Sequence, residues 1–257
     1  MELKGKRALI TGSAKGLGKR TAQLLADAGC DVIVNYVSSR DEAEALAEGL
    51  RERGVRSAAV QADVADPAQV ERLAAEAERL LGGIDILINN AGPFIRERRL
   101  FADYRPEEII GLVNGNLLGV MLLDRLLLPG MRRREWGRII HFGFGHAGES
   151  RAWPHRAVYA AAKTALVSFT KTLAVEEAMH GITVNMICPG DIRGANKEKS
   201  IDDVRGETDP ESGRRPGTGE DVARAILFLC DPKSDFITGN LLDVTGGFDP
   251  IRNTIQA

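Results

Sequence analysis

Cysteine is scarce in this chain, with only Cys30, Cys188 and Cys230 among 257 residues. They are odd in number, far apart and set among apolar neighbours, which excludes a disulfide framework and a zinc-binding spacing. Their expected role is that of small buried hydrophobes in a reducing compartment. The four scattered histidines make no metal site either. An excess of one charge is also lacking: 34 basic residues face 36 acidic ones, for a formal net charge of −2. That balance leaves no footprint for nucleic acid or for an anionic membrane. The first strand is entered by about Lys6, so no signal peptide is expected. The longest apolar stretch, 112–131, contains Asn114, Asn116, Asp124 and Arg125 and reads as a buried helix, not a membrane span. These absences point to a cytoplasmic protein. Proline- or serine-rich linkers and short internal repeats are missing as well, and the length suffices for a sizeable core.

What is present is a regular alternation. Strand-like apolar runs fall at Arg7–Ile10, Asp31–Tyr36, 56–61, 84–89, Gly137–Phe142, 183–188 and 240–244. Helix-period segments lie between them, among them 19–28, 40–53, Pro67–Leu81, 106–134 and 157–180. Seven strands separated by helices predict an α/β fold: one doubly wound (Rossmann) domain over 1–257, with a seven-stranded parallel sheet and helices on both faces. The stretch 193–219 has no clear period and follows the sixth strand, at the end of the sheet where ligands bind in such folds. It reads as a substrate lid, with a disordered surface insertion as the alternative.

The first strand runs into Thr11-Gly-Ser-Ala-Lys-Gly-Leu-Gly18, and an amphipathic segment follows. Strand, glycine turn and helix together are the layout that receives a dinucleotide pyrophosphate. Glycines let the backbone approach the phosphates, and the helix N-terminus presents unpaired N–H groups with a partial positive charge. Tyr159 and Lys163 stand four apart on one helix face. A phenol with its ordinary pKa of roughly 10 is a poor acid–base group at neutral pH, and a neighbouring ammonium is expected to lower it toward the working range.

With Asp63-Val64 after the third strand, Asn89-Asn90-Ala91-Gly92 after the fourth, Asn116, Tyr159-Ala-Ala-Ala-Lys163, Asn185, Pro189-Gly190, Ile237-Thr238-Gly239 and Gly246-Gly247 in order, the chain resembles the short-chain dehydrogenase/reductase family over nearly its whole length. Within that family it is most similar to 3-oxoacyl-(acyl-carrier-protein) reductases. The resemblance implies that Tyr159 delivers a proton to the carbonyl oxygen while hydride arrives from a nicotinamide. Lys163 would hold the nicotinamide ribose, and Asn116 would position a water that relays protons to Lys163. The cofactor would be held by Gly12, Ser13, Lys15, Gly16, Leu17, Gly18, Asp63, Val64, Asn90, Ala91, Gly92, Pro189, Gly190 and Ile192, besides Tyr159 and Lys163. It also implies a homotetramer, with 106–134 and 157–180 paired across one interface and the last strand with Gly246-Gly247 forming another.

Three positions depart from the pattern. The family serine that hydrogen-bonds the substrate carbonyl falls on Phe144 when counted from Gly137-Arg138-Ile139-Ile140, and near His146 when counted back from Tyr159. No serine occurs until Ser150. Phenylalanine donates no hydrogen bond, so the donor is either absent or replaced by His146 or Ser150. Losing one such donor costs about 10²–10³ in rate. A threonine usually lies just past Pro-Gly, and here Gly194 takes its place, leaving Ile192 to offer its backbone groups. The second strand ends Val34-Asn-Tyr-Val-Ser-Ser-Arg40 without the acid that selects NAD(H). Lys15, Ser38 and Arg40 instead favour NADP(H) over NAD(H). Two functions follow: an NADP(H)-dependent oxidoreductase interconverting a ketone and a secondary alcohol, 3-oxoacyl thioesters or an acyl carrier among the candidate substrates; or a cofactor-binding protein with weak or no catalysis that acts through assembly or ligand sensing.

Overall fold

The computed structural model describes residues 3–248 and Ile251. Seven strands form one parallel sheet in the order β3-β2-β1-β4-β5-β6-β7. They are β1 (Arg7–Ile10), β2 (Asp31–Tyr36), β3 (Ser57–Gln61), β4 (Ile86–Asn89), β5 (Gly137–Phe142), β6 (Ile182–Pro189) and β7 (Leu241–Val244). Seven α-helices accompany them: α1 (Gly16–Asp27), α2 (Arg40–Arg51), α3 (Pro67–Leu81), α4 (Pro106–Val113), α5 (Gly119–Arg133), α6 (Ala157–Glu177) and α7 (Gly219–Cys230). The doubly wound sheet expected from the alternation is therefore the observed one.

Strand periodicity divides the core into two layers. Ala8 and Ile10 face one side of the sheet with Val32, Val34, Ile86 and Ile88, and pack on Leu25 of α1, Leu46 of α2 and Ile226 of α7. Leu9, Ile33 and Leu87 face the other side, against Leu73 of α3, Leu127 of α5 and Leu173 of α6. Successive side chains on a strand alternate faces, so a continuous apolar run feeds both layers. After β3 the chain returns to place β4 on the far side of β1. This reversal opens a crevice at the carboxyl ends of β1 and β4, where ligands bind in open α/β sheets.

The expected single helix over 106–134 is interrupted. Asn114–Leu118 form a π-helical turn between α4 and α5. The Asn116 amide donates to the Leu112 carbonyl at 3.0 Å, which occupies an acceptor of the regular ladder. Backbone crowding accompanies it, because a Cβ on Gly119 would lie 1.9 Å from the Val64 carbonyl oxygen. Such bulges recur at functional sites. Residues Pro106–Arg133 are long and apolar enough to cross a membrane, yet Asp124 within them is buried in a polar network. Its carboxylate accepts from Asn89 and meets His141 Nε2, both at 2.8 Å, and His141 Nδ1 lies 2.8 Å from Thr170 Oγ1. The network joins β4, β5, α5 and α6 in the core, and His141 is a structural residue of it.

Segment 193–219 differs from the expectation of an irregular loop. It carries 3₁₀ turns at Gly194–Lys197 and Asp202–Val204. Glu220 of α7 anchors it by accepting from Ile201 N at 2.9 Å while pairing with Arg20 of α1 at 3.1 Å. Val204 is fully buried.

Candidate active site

A cleft of about 570 Å³ opens at the carboxyl ends of the central strands. Lys15, Gly16 and Leu17 line one end, Pro189 to Ile192 with Lys197 form a second wall, and Asn90, Gly92, Asn116, Tyr159 and Lys163 form the floor. These residues come from six separate stretches of sequence that the parallel topology brings to one place.

The glycine turn is shaped by residues around it. Gly12 and Gly16 adopt φ of +61° and +64°, left-handed values that favour glycine. Asn90 Nδ2 donates to the carbonyls of Thr11 and Gly12 at 2.9 and 3.0 Å. Asn35, at the end of β2, accepts from Gly12 N at 3.0 Å and donates to Val60 and Ala62. The first turn of α1 holds no acidic residue of its own. Glu198 of segment 193–219 supplies one from outside, accepting from Gly16 N at 2.8 Å and pairing with Lys19 at 2.6 Å. A carboxylate drawn to this point shows the attraction for anions that a helix N-terminus exerts. The shape and polarity of the turn thus fit a dinucleotide phosphate.

Asn116, Tyr159 and Lys163 meet at the floor. Lys163 is buried one turn beyond Tyr159 on α6, its Nζ 5.9 Å from the phenol ring centre. Asn116 Nδ2 donates to Pro93 O and Leu112 O, which turns its Oδ1 toward Gly92. A Cβ on Gly92 would lie 2.3 Å from that oxygen and 3.6 Å from Lys163 Nζ, so both atoms converge on this one backbone position. Asn116 Oδ1 is buried and has no hydrogen-bond partner among the described residues.

The electrostatics depart from the expectation that Lys163 lowers the Tyr159 pKa. In the protein alone, burial pushes the phenol up to about 12, with Cys188 nearby adding to the rise. Burial also brings the Lys163 amine down to about 8, against a smaller opposing effect of Cys188. Removing both groups from water penalises each charged form, and at this separation the penalty outweighs their mutual influence.

Several expected residues stand away from the cleft wall. The Ser13 hydroxyl is fully buried, donating to Ile10 O at 2.8 Å and accepting from Asn35 N, so it staples the turn from behind. Asp63 Oδ1 accepts from Ala65 N in a local turn. Val64 packs in the core, and Ala91 donates its N–H to Thr11 Oγ1. Ser38 and Arg40 are exposed near the start of α2. Ile192, by contrast, lines the cleft, with its N–H committed to Gly190 O at 3.0 Å, so its carbonyl is the backbone group left to offer. Gly194 sits at φ +50°, a conformation that threonine adopts only with strain.

Phe144 lines the cleft, 6.2 Å between ring centres from Tyr159 and 4.9 Å from Trp153. His146 turns away to Glu149 and Asp243, at 3.1 and 3.7 Å, and Ser150 is exposed outside the cleft wall. Neither is among the residues that line the cleft. Sequence reasoning missed Asn35, Glu42, Phe94, Trp153 and Glu198, which act across folds of the chain and belong to no short motif. Glu42 is one turn into α2 and pairs with Lys15 at 2.5 Å, so an acid does stand beside the second strand's end.

Comparison with known proteins agrees with this geometry. The profile of the family described as Enoyl-(Acyl carrier protein) reductase matches residues 12–249. The chain is 44% identical over 249 residues to YtkK of Bacillus subtilis, whose name assigns it provisionally as an oxidoreductase, covering 96% of this chain and 98% of that one. It is 36% identical over 245 residues to the 3-oxoacyl-[acyl-carrier-protein] reductase FabG of Staphylococcus epidermidis, covering 94% of this chain and 98% of that one. A blue fluorescent protein from a metagenomic library, solved in complex with NADPH, superposes with a TM-score of 0.84 at 33% identity, covering 96% of this chain and 99% of that one. A Rossmann sheet, an ordered glycine turn and a Tyr–Lys pair at the cleft floor, matched over almost the full length, identify the chain as an oxidoreductase of the short-chain dehydrogenase/reductase family.

Proposed function

We propose that this chain is an NADP(H)-dependent oxidoreductase interconverting a ketone and a secondary alcohol, with Tyr159 as the proton donor. The observation that carries the reading is the convergence of Asn116, Tyr159 and Lys163 on one cleft beside the glycine turn. The bound nicotinamide would supply or accept the hydride. Gly12, Gly16, Leu17 and Gly18 bring backbone close to the dinucleotide phosphates, with Asn90 and Asn35 holding the turn in shape. Tyr159 holds its proton at neutral pH and transfers it to the carbonyl oxygen. Lys163 would hold the ribose end of the dinucleotide and return the proton to Tyr159. The unpartnered Asn116 Oδ1 beside Lys163 suits a water that links the relay to solvent. Retention of this trio argues against a binding protein without catalysis.

Preference for NADP(H) rests on Lys15 and on Arg40, an exposed cation with no side-chain partner among the described residues, near the adenosine end of the turn. Glu42 tempers that preference by holding Lys15 in the ligand-free protein. Segment 193–219 acts as the lid. A 3-oxoacyl thioester is the substrate suggested by the likeness to FabG, and Phe144 in place of a donor is the feature against it. The three cysteines are buried free thiols, in keeping with a cytoplasmic setting. Ile110, Val113, Leu118 and Met121 on the α4–α5 stretch and Val175 on α6 are exposed apolar residues, which suits pairing of these helices in a homotetramer. Steady-state oxidation of NADPH and NADH with a ketone panel tests the activity, and sedimentation velocity at micromolar concentration tests the assembly. No turnover with either dinucleotide refutes the first, and a lone monomer refutes the second.

A further inference from the structure

The proton-donating phenol is ringed by aromatic side chains from two connections, Phe94 between β4 and α4 and Phe144 with Trp153 between β5 and α6. Phe94, 44% exposed after β4, meets the Tyr159 ring edge-on at 4.9 Å. Phe144, 5% exposed after β5, lies at 6.2 Å and Trp153, ahead of α6, at 5.9 Å. Phe144 and Trp153 also touch each other, with ring centres 4.9 Å apart. The side-chain amide N–H groups at this end are already committed. The Asn90 amide group donates to the glycine turn and that of Asn116 to Pro93 and Leu112. A substrate carbonyl placed here therefore meets one hydroxyl donor, Tyr159, among aromatic side chains, with the Trp153 indole N–H as the other neutral donor of the ring.

We propose that Phe94, Phe144 and Trp153 are specificity-determining residues that select a flat, conjugated 1,2-dicarbonyl compound over a flexible 3-oxoacyl thioester. The inference rests on the oxidoreductase reading above. Two physical arguments meet in it. Aromatic pairs at 4.5–7 Å add about two- to tenfold in binding beyond the area they bury, a gain open to a planar conjugated ligand and closed to an alkyl chain. The missing donor costs about 10²–10³ in rate for an ordinary ketone. A carbonyl whose neighbour is a second electron-withdrawing carbonyl is electrophilic without it. In the step, the carbonyl carbon accepts a hydride from the reduced dinucleotide and the C=O π pair moves to oxygen, which takes the Tyr159 proton. The dicarbonyl is reduced to an α-hydroxy ketone, the dinucleotide is oxidised, and the tyrosinate regains its proton from solvent.

The test compares 1-phenyl-1,2-propanedione with the acetoacetyl thioester of N-acetylcysteamine, with NADPH and with NADH. The diketone is expected to show at least tenfold higher kcat/KM. Phe94→Leu, at an exposed position that the fold tolerates, should lower the diketone value three- to tenfold through KM and lower the thioester value at least threefold less. Phe144→Ser should raise thioester turnover at least tenfold and lower diketone turnover. A native preference for the thioester, or an equal loss on both substrates in Phe94→Leu, overturns the proposal and leaves the oxidoreductase reading standing. Turnover of neither substrate, together with none on the wider ketone panel, refutes that reading instead. The aromatic slot is then judged by the intrinsic fluorescence of Trp153, identified by its loss in Trp153→Phe. Saturable quenching by the diketone, weakened at least threefold in Phe94→Leu, supports the slot, and absence of saturation overturns it.

Discussion

Replacing Lys163 by methionine should make the ligand-free protein more stable while removing its activity. The Lys163 side chain is buried, and its amine is brought from 10.5 down to about 8, chiefly by that burial. A lowered lysine pKa means that the folded state holds the proton less readily than the unfolded chain. Below about pH 8 the amine is protonated in both states, and the folded protein carries the whole penalty. The fall of 10.5 to about 8 corresponds to about 3 kcal/mol, as an order of magnitude. Between about pH 8 and 10.5 the unfolded chain binds a proton that the folded one has released, so native stability rises with pH in that window. Methionine keeps the length and apolar stem of lysine and carries no charge. At pH 7, Lys163→Met should therefore exceed the native protein by up to about 3 kcal/mol, or about 6–12 °C in Tm for a chain of this size. Urea unfolding at a series of pH values, followed by circular dichroism, measures the gap between the two proteins and cancels the titration of every other group. The gap should close as pH rises from 8 to 10.5. A variant no more stable than the native protein at pH 7, or a gap that ignores pH, would refute the reasoning.

Tyr159→Phe deletes only the transferable proton, so kcat should drop at least ~10²-fold while the dinucleotide Kd, followed by fluorescence, stays within about twofold. Gly119→Ala should destabilise by about 1–3 kcal/mol or more, because its Cβ would enter the Val64 carbonyl oxygen at 1.9 Å. Gly111→Ala on the preceding helix meets nothing within 4 Å and should instead stabilise by about 0.5–1 kcal/mol; urea midpoints for the two variants compare them directly. NADPH should bind several-fold tighter than NADH, and Lys15→Ala should erode the difference, as measured by titration calorimetry; equal Kd values in the native protein would sink the assignment of Lys15 to the 2′-phosphate.

The parallel sheet, its strand count and its two helical layers were legible in the chain because their causes are local. Buried parallel strands need unbroken apolar runs, and the helices between them need an apolar stripe, so each element leaves its own period. The glycine turn and the Tyr159–Lys163 pair were legible for the same reason, since a short spacing along one backbone defines each. The π turn at Asn114–Leu118 was not, because it depends on Pro93, Val64 and Leu112 meeting Asn116 and Gly119 in space. Nor were the anchors of segment 193–219, the pairing of Lys15 with Glu42 or the ring of Phe94, Phe144 and Trp153 around Tyr159, whose members lie far from their partners in sequence or in no regular element. The direction of the Tyr159 and Lys163 pKa shifts belongs to this second kind. A spacing of four places an amine near a phenol, and only the packed surroundings determine how much water each one loses.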